Sequence, residues 1–482
     1  MIEFLLNTTK ITIERCDPNL TVLRYLREHH QLMGTKEGCG SGDCGACTVV
    51  VAQLSANEKL TYKTINSCIT LVSHLHGKQL ITVEHLENNN KLHPVQQAMV
   101  ENHGSQCGFC TPGIVMSLFA LKKNIRTASK QQIEHALSGN LCRCTGYVPI
   151  IAAARLNNGI TIKDQFSKNA TNTILELKQI ATNINNTPTI KLERSQCYLP
   201  QTLAEATALL QQSPKARIIA GGTDLSLEIT QQYKQFKTLV NLSQVKELSS
   251  IDSEGDALII GASCTLAQCT KLLRKFYPSI SEMLERFGSS QIRNQATMAG
   301  SIANASPIGD LAPILITLNA HLTLQSANST RQISVESFFV DYKKTELTEG
   351  ELISYITIPK PQKGYQLKVY KISKRPDDDI SAVLAAFYYS IKDKKIDDIH
   401  IAYGGMAATP KRATHCEQAL KQQAWKQASI DNGKTALLDD FEPISDVRAS
   451  KQYRMTIAQN LLQKCFYEHS SRGLSLQVSD YA

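Results

Sequence analysis

Four cysteines near the N-terminus carry the first chemistry this sequence can support. Cys39, Cys44 and Cys47 lie in Gly38-Cys-Gly-Ser-Gly-Asp-Cys-Gly-Ala-Cys47, and Cys68 follows further along. The spacing C-x4-C-x2-C…C suits a two-iron, two-sulfide cluster held by four thiolates. Such a cluster is anionic and requires backbone N–H donors and little side-chain bulk, which Gly38, Gly40, Gly42 and Gly45 supply. Zinc also takes four thiolates, but usually from two closely spaced pairs. The same residues contain Gly40-Ser-Gly42-Asp-Cys-Gly45, the G-x-G-x-x-G form of a dinucleotide loop. That loop needs a helix after it, whereas Thr48-Val-Val-Val reads as a strand.

A second set of four cysteines follows. Cys107 and Cys110 lie in Gln106-Cys-Gly-Phe-Cys-Thr-Pro-Gly113, and Cys142 and Cys144 in Leu141-Cys-Arg-Cys-Thr-Gly-Tyr147. Each pair precedes a helical run, with Pro112 suited to a first turn. Two helix N-termini facing one site favour an anionic occupant. Zinc fits the spacing too, but two four-cysteine sites in succession are better explained as two relay centres in series. Cys16, Cys264, Cys269, Cys416 and Cys465 lack ligand spacing and read as core thiols.

The elements that position these residues belong to a chain of 482 residues, long enough for about three domains. The net charge of +9 comes without a basic run, which argues against nucleic-acid binding. No apolar stretch is long enough to span a bilayer, and Met1-Ile-Glu-Phe-Leu-Leu-Asn lacks the features of a signal peptide. The cytosol is therefore the expected compartment, and fourteen cysteines there point to metal ligation rather than disulfides. The pattern predicts a hairpin over 1–15, a helix over 21–29 and a strand over 48–54. Residues 156–190 read as a polar tether with a short helix near 174–180. Ala216–Ala220 reads as a buried strand leading into Gly221-Gly222-Thr223-Asp224-Leu225, a turn that brings backbone N–H groups close to a phosphate. Gln291 to Asp310 is dense in small residues, with Asp310 expected to cap a helix over 311–318. Val369 to Ile380 reads as a charged loop. Strands over 381–391 and 396–403 and helices near 413–425 and 451–467 complete the chain.

Together these motifs resemble the molybdenum hydroxylases, the family that includes xanthine dehydrogenases, aldehyde oxidases and carbon monoxide dehydrogenase. The resemblance covers essentially the whole chain in family order. It implies a multidomain α+β fold: a plant-type ferredoxin β-grasp domain over 1–80, a four-helix-type 2Fe-2S domain over 81–155, a linker over 156–190, a two-part α+β FAD-binding domain over 191–365 and an α+β C-terminal cap over 366–482. By that resemblance Cys39, Cys44, Cys47 and Cys68 hold one cluster, and Cys107, Cys110, Cys142 and Cys144 the other. Ile218, Ile219, Ala220, Gly221, Gly222, Thr223, Asp224 and Leu225 would wrap the FAD pyrophosphate. Thr297, Met298, Ala299, Gly300, Ser301, Asn304 and Asp310 would hold its other side, with Phe287, Ile353 and Lys371 near the flavin. Ser301 departs from the asparagine often found there.

What the resemblance implies for function is an electron relay with no covalent nucleophile, the cofactors carrying the chemistry. Clusters and FAD on one chain suggest the small subunit of a bacterial-type xanthine dehydrogenase. A molybdopterin-binding large subunit, facing Gln106, would hydroxylate hypoxanthine or xanthine. Its electrons would pass through the helical-domain cluster, then the ferredoxin-type cluster, to FAD and NAD, in a pair of heterodimers. An aldehyde or N-heterocycle hydroxylase would use the same relay, with oxygen as another possible acceptor. A redox sensor would hold clusters without turnover.

Overall fold

The N-terminal sheet is built from β1 (Ile2–Leu6), β2 (Thr9–Ile13), β3 (Thr48–Leu54), β4 (Leu60–Asn66) and β5 (Gln79–Ile81), in the order β2-β1-β5-β3-β4. β1 pairs in parallel with β5, and the other neighbours are antiparallel. Asn7, at φ 57°, turns the first hairpin, as asparagine does at low steric cost. Thr21 caps the helical segment beginning at Val22. These coordinates are a computed structural model that describes residues 1–182, 187–470 and 476.

In β3 the run Val49–Ala52 is apolar without a break, for a structural reason. Side chains alternate across a strand, and both faces of this one are covered. Val49 and Val51 join a core with Ile2, Phe4, Leu6 and Leu71. Val50 and Ala52 join a second core with Val95, Met99, Ile114, Phe119, Ile133 and Ile150. The second core belongs to the helices Pro94–Glu101, Thr111–Asn124, Lys130–Leu137 and Val148–Leu156. Pro112 and Pro149 sit in first turns, and Ser129 forms a capping box with Gln132.

The first core also contains Ile190, Cys197, Leu199, Ile219, Ile229 and Leu239. Ile190, Cys197, Ile219 and Leu239 come from a four-stranded sheet of β6 (Thr189–Leu192), β7 (Ser195–Tyr198), β8 (Arg217–Ile219) and β9 (Thr238–Asn241), in the order β6-β7-β9-β8, while Leu199 directly follows β7 and Ile229 lies on the helix Leu225–Thr230. Packing thus divides the chain into Met1–Lys246 with Gly288–Ala296, and Glu247–Phe287 with Thr297–Ala482. The stretch expected to be one FAD domain contributes to both units. β8 is less buried than its sequence suggests: of its three residues only Ile219 is fully covered.

The expected tether is more structured than its polar composition implied. Ala170–Thr182 is a helix, with Thr173, Leu177 and Ile180 buried. Leu177 and Ile180 pack with Leu5, Leu54 and Leu60. The spacing of those apolar positions gives the helix a covered stripe, which outweighs its polar average. The rest of the expected tether includes residues 183–186, which lie outside the described residues.

The second unit contains a sheet of β10 (Ile251–Glu254), β11 (Ala257–Gly261), β12 (His321–Gln325), β13 (Thr330–Ser334) and β16 (Leu352–Pro359), in the order β10-β11-β16-β12-β13. A small ribbon, β14 (Phe339–Asp341) with β15 (Lys344–Thr345), lies between them in sequence. β17 (Tyr365–Ile372), β18 (Val383–Lys392), β19 (Lys395–Gly404) and β20 (Lys411–Arg412) form an antiparallel meander. Its core takes in the helices Thr414–Leu420, Gln427–Asp440 and Lys451–Ser470. The helix expected over 413–425 ends at Leu420, and the sequence reading missed Gln427–Asp440. Asn432-Gly433 resembles a turn signal, yet Gly433 sits inside that helix: a Cβ there would stand 3.0 Å from a Leu420 methyl group. Among the described residues, no helix is long and apolar enough to cross a membrane.

Because Leu177 is a core contact, Leu177→Ala is expected to lower the unfolding free energy by about 2–4 kcal/mol in urea titration. A solvated tether would show almost no change.

Candidate functional site

The first cysteine set lies on the loop entering β3 and on the turn leaving β4. Cys47 and Cys68 are buried, while Cys39 and Cys44 are partly covered. The Cys47 and Cys68 sulfurs stand 3.2 Å apart. The Cys39 sulfur accepts from the N–H groups of Ser41 and Cys44, each at 3.4 Å. Hydrogen bonding from Cys44 and then Cys68 lowers the Cys39 thiol's pKa, and the same contact raises that of Cys44. Asn66 Nδ2 donates to the Gly42 carbonyl at 2.6 Å and fixes the loop against the end of β4. Thiol donors with main-chain N–H groups directed at sulfur are what an anionic iron–sulfur group needs, so this donor set fits one.

In the second set, Cys107 and Cys144 are exposed, whereas Cys110 and Cys142 are half-buried. Cys144 is raised by its hydrogen bond with Cys107, and Cys110 is pushed up to about 12 by burial and by Cys142. Among the described residues no three metal-ligating side chains gather on a single point; in this second set the sulfurs pair as Cys107 with Cys144 and Cys110 with Cys142. Pairs of thiols are how two irons share four ligands. Cys110 and Tyr147 are the residues from which the helices Thr111–Asn124 and Val148–Leu156 begin. The Tyr147 hydroxyl accepts from Cys142 N at 2.7 Å and donates to the Asn140 carbonyl at 3.1 Å, which locks the second loop. Phe109, Leu141 and Val148, near these cysteines in the sequence, are themselves exposed.

One backbone hydrogen bond joins the two sets: Leu141 N donates to the Cys44 carbonyl at 2.9 Å. Leu141 directly precedes Cys142. A buried polar network holds this junction. The Gly45 carbonyl accepts from Thr48 Oγ1 at 2.7 Å and from Asn140 Nδ2 at 3.1 Å. Asn140 Oδ1 in turn accepts from Ser117 Oγ at 2.6 Å and from Gln291 Nε2 at 3.1 Å. Gly45 has φ +69°, and a Cβ there would stand 2.0 Å from the Gly139 carbonyl oxygen. The sequence reading missed Thr48, Ser117, Asn140 and Gln291 as site residues. Position was the available signal, since Thr48 follows Cys47 and Asn140 stands two residues before Cys142.

The residues expected around FAD fall in both units. In the first, Ile218 and Ile219 end β8, and the Ala220 carbonyl lies 3.0 Å from His74 Nε2. Gly221 presses against the backbone, since a Cβ there would stand 2.1 Å from the Gln295 carbonyl oxygen. Thr223 and Asp224 lead into the helix Leu225–Thr230. In the second unit, Thr297 caps Met298–Ala303, its hydroxyl accepting from Gly300 N at 3.0 Å. Met298 and Ala299 are buried, Ser301 is half-buried, and Asn304 ends the helix.

Asp310 departs from the expected cap. Its backbone is already helical, at φ −71° and ψ −30°, whereas a capping residue is usually extended, and its side chain makes no cap hydrogen bond. Its carboxylate instead accepts from Lys371 Nζ and from Ser381 Oγ, each at 2.5 Å. The Asp310 and Lys371 side chains are only 4% and 3% exposed. The Lys371 ammonium also lies 5.9 Å from the centre of the Phe287 ring, so Phe287, Asp310 and Lys371 come together. Ile353 is buried in β16, opposite Leu324. The charged loop after β17 is tied down by Arg286, whose Nε donates to the Pro376 carbonyl at 2.7 Å.

Four family models match the chain in order. They are the 2Fe-2S iron-sulfur cluster binding domain over 4–73, the [2Fe-2S] binding domain over 82–155, the FAD binding domain in molybdopterin dehydrogenase over 192–361, and the CO dehydrogenase flavoprotein C-terminal domain over 368–469. The xanthine dehydrogenase of Emericella nidulans is 33% identical over 97% of this chain, and that of Calliphora vicina 31% over 89%. The chain belongs to the molybdenum hydroxylases. It spans 38% and 36% of the lengths of those two relatives. Among solved molybdenum hydroxylases, a carbon monoxide dehydrogenase from Hydrogenophaga pseudoflava aligns with a TM-score of 0.54 at 26% identity, covering 56% of this chain and 96% of that one. Quinoline 2-oxidoreductase from Pseudomonas putida 86 has the same fold, with a TM-score of 0.54 at 24% identity, over 59% of this chain and 97% of its own. The chain thus carries the two [2Fe-2S] domains and the FAD domain of a molybdenum hydroxylase.

Two outcomes follow from this geometry. Asp310→Ala strands a buried ammonium and is expected to cost about 3–5 kcal/mol of stability, while Asp310→Leu with Lys371→Met costs much less; thermal or urea unfolding measures both. The second concerns acid. Burial holds the His74 and His76 imidazoles at about 4 rather than 6.5, so the unfolded chain binds more protons between those values. Their contribution is intact above pH 6.5 and is lost as pH falls towards 4. Urea midpoints are expected to fall across that window, and to fall less in His74→Gln.

Proposed function

We propose that this chain is the electron-transfer part of a xanthine dehydrogenase. In this reading, electrons from a molybdopterin-binding partner pass through two [2Fe-2S] clusters to FAD and then to NAD. The observation that carries it is the Leu141 N–H bond to the Cys44 carbonyl, which leaves one hydrogen bond between the main chains of the two cysteine sets. Two thiol sites so joined suit a relay and serve no purpose as separate structural staples. When bound, the clusters exchange single electrons and the flavin exchanges pairs.

The chain's own residues bind and orient these groups. Cys39, Cys44, Cys47 and Cys68 are the proposed ligands of the ferredoxin-type cluster, and Cys107, Cys110, Cys142 and Cys144 those of the helical-domain cluster. Ile218 to Leu225 in the first unit are proposed FAD contacts. In the second unit these are Phe287, Thr297 to Ser301, Asn304, Asp310, Ile353 and Lys371. Lys371 is fixed in place by Asp310. The exposed Cys107 and Cys144, with Gln106, Phe109, Leu141 and Val148 near them in the sequence, form the proposed face for the partner. The names of the relatives support xanthine as the partner's substrate, and hypoxanthine is proposed beside it. NAD as acceptor, a large molybdopterin subunit, paired heterodimers and a cytoplasmic location complete the proposal.

The test is NADH formation from xanthine and NAD by the complex that copurifies with this chain. NADH is the expected product. A complex with iron and flavin that ignores xanthine but oxidises an aldehyde or N-heterocycle would move the assignment to that substrate. In the same complex, Val148→Asp is expected to slow xanthine-dependent turnover about tenfold or more, as a charge buried in an interface does. Reduction of the flavin by NADH should be unchanged in that variant.

A further inference from the structure

The segment from Ala220 to Gln231 holds the glycine turn assigned above to FAD, and residues of the ferredoxin-type domain bind both its ends. At one end, His74 Nε2 stands 3.0 Å from the Ala220 carbonyl oxygen. At the other, Gln231 Nε2 donates to the Gly40 carbonyl at 3.0 Å and to the Cys39 carbonyl at 3.4 Å, inside the first cysteine loop. Flanking polar contacts reinforce the first anchor. Thr70 Oγ1 donates to Gln295 Oε1 at 2.9 Å, Asn241 Nδ2 to Ser73 Oγ at 3.1 Å, and Gln244 Nε2 to the His76 carbonyl at 3.2 Å. One stretch, Cys68 to His76, therefore carries a proposed cluster ligand at its start and the anchor of the glycine turn near its end.

His74 is 5% exposed. A carbonyl oxygen can only accept, so Nε2 carries the ring hydrogen and Nδ1 keeps a lone pair. That Nδ1 has no partner, and neither does the buried hydroxyl of Ser226. Both residues flank Gly222, which has φ +74°. A Cβ there would stand 3.4 Å from His74 Cε1 and 3.6 Å from Ser226 Oγ. Buried polar atoms left unpaired are costly, and two beside one left-handed glycine mark a place built to be completed by a polar group.

We infer that His74 and Gln231 are positioning residues that hold the FAD pyrophosphate turn on the ferredoxin-type domain, coupling FAD affinity to retention of that domain's cluster. The inference rests on the FAD and cluster reading proposed above. A bound cluster fixes the Cys39–Cys47 loop and the Cys68 turn, and these fix the carbonyl and the imidazole on which the FAD turn is hung. Binding free energies are reciprocal, so whatever factor the cluster adds to FAD affinity, FAD returns to cluster retention.

The test uses the full-length chain with both clusters present and FAD removed, and measures FAD binding by quenching of flavin fluorescence. His74→Ala is expected to bind FAD about tenfold more weakly, the loss of one well-placed hydrogen bond. His74→Gln keeps an amide donor near the Nε2 position and should stay within about twofold of the parent. Gln231→Ala should weaken binding about fivefold, and it provides a second reading should His74→Ala fold poorly. In the parent, removing FAD should speed chelator extraction of the ferredoxin-type cluster, followed by electron paramagnetic resonance, and leave the helical-domain cluster's rate unchanged. Parent-like FAD affinity in both alanine variants, with clusters intact, would overturn the inference. A parent chain that takes up no FAD would overturn the functional reading itself, and the inference with it.

Discussion

Gly45 and Gly139 approach so closely that the backbone of one cysteine loop rests on the backbone preceding the other. A Cβ on Gly45 would fall within bonding distance of the Gly139 oxygen, and one on Gly113 would stand 2.1 Å from the Gly45 oxygen. Only backbone fits there. That contact places Leu141 within hydrogen-bonding reach of Cys44, and the Thr48, Asn140, Ser117 and Gln291 network surrounds it, with every side-chain polar atom paired except Gln291 Oε1. Buried polar networks specify one arrangement when their members are paired. The separation of the two thiol sites is therefore set by main chain and buried amides rather than by a flexible linker.

The same economy appears in β3. A strand covered on both faces serves two cores at once: Val49 and Val51 hold the ferredoxin sheet to the β6–β9 sheet, and Val50 and Ala52 hold it to the helices. Family boundaries and packing boundaries consequently differ. The FAD binding match begins at residue 192, yet the hydrophobic core runs across that point without a break. The short segment Gly288–Ala296 returns to the first unit to place Gln291 beside Thr48 and Asn140 and Gln295 beside Thr70.

The parts of the structure legible in the sequence were those whose cause is local. Cysteine spacing, prolines in first turns, the Asn7 hairpin and the apolar run after Cys47 each depend on neighbours in the chain. Features with distant causes were not legible. Asp310 looks like a helix cap because a helix follows it, but its partner Lys371 lies on another element. Ala170–Thr182 looks like a tether because its average is polar, although a stripe of three side chains buries it. Gly433 looks like a helix breaker, although the Leu420 and Leu462 side chains that pack closely on it come from elsewhere in the fold. The cysteines were picked out by their spacing, whereas the amides and hydroxyls that hold their loops were visible only once the chain was folded.

The two thiol sites differ sharply in cover. Cys47 and Cys68 are sealed beneath side chains, while Cys107 and Cys144 stand in solvent. Thiol chemistry follows access as well as ionisation. The chain therefore has a chemically durable end and a fragile one. Air, peroxide and adventitious copper meet the helical domain first, and handling losses should begin there, with the ferredoxin-type site as the last to suffer. A surface laid over Phe109, Leu141 and Val148 would act as a shield as well as a junction.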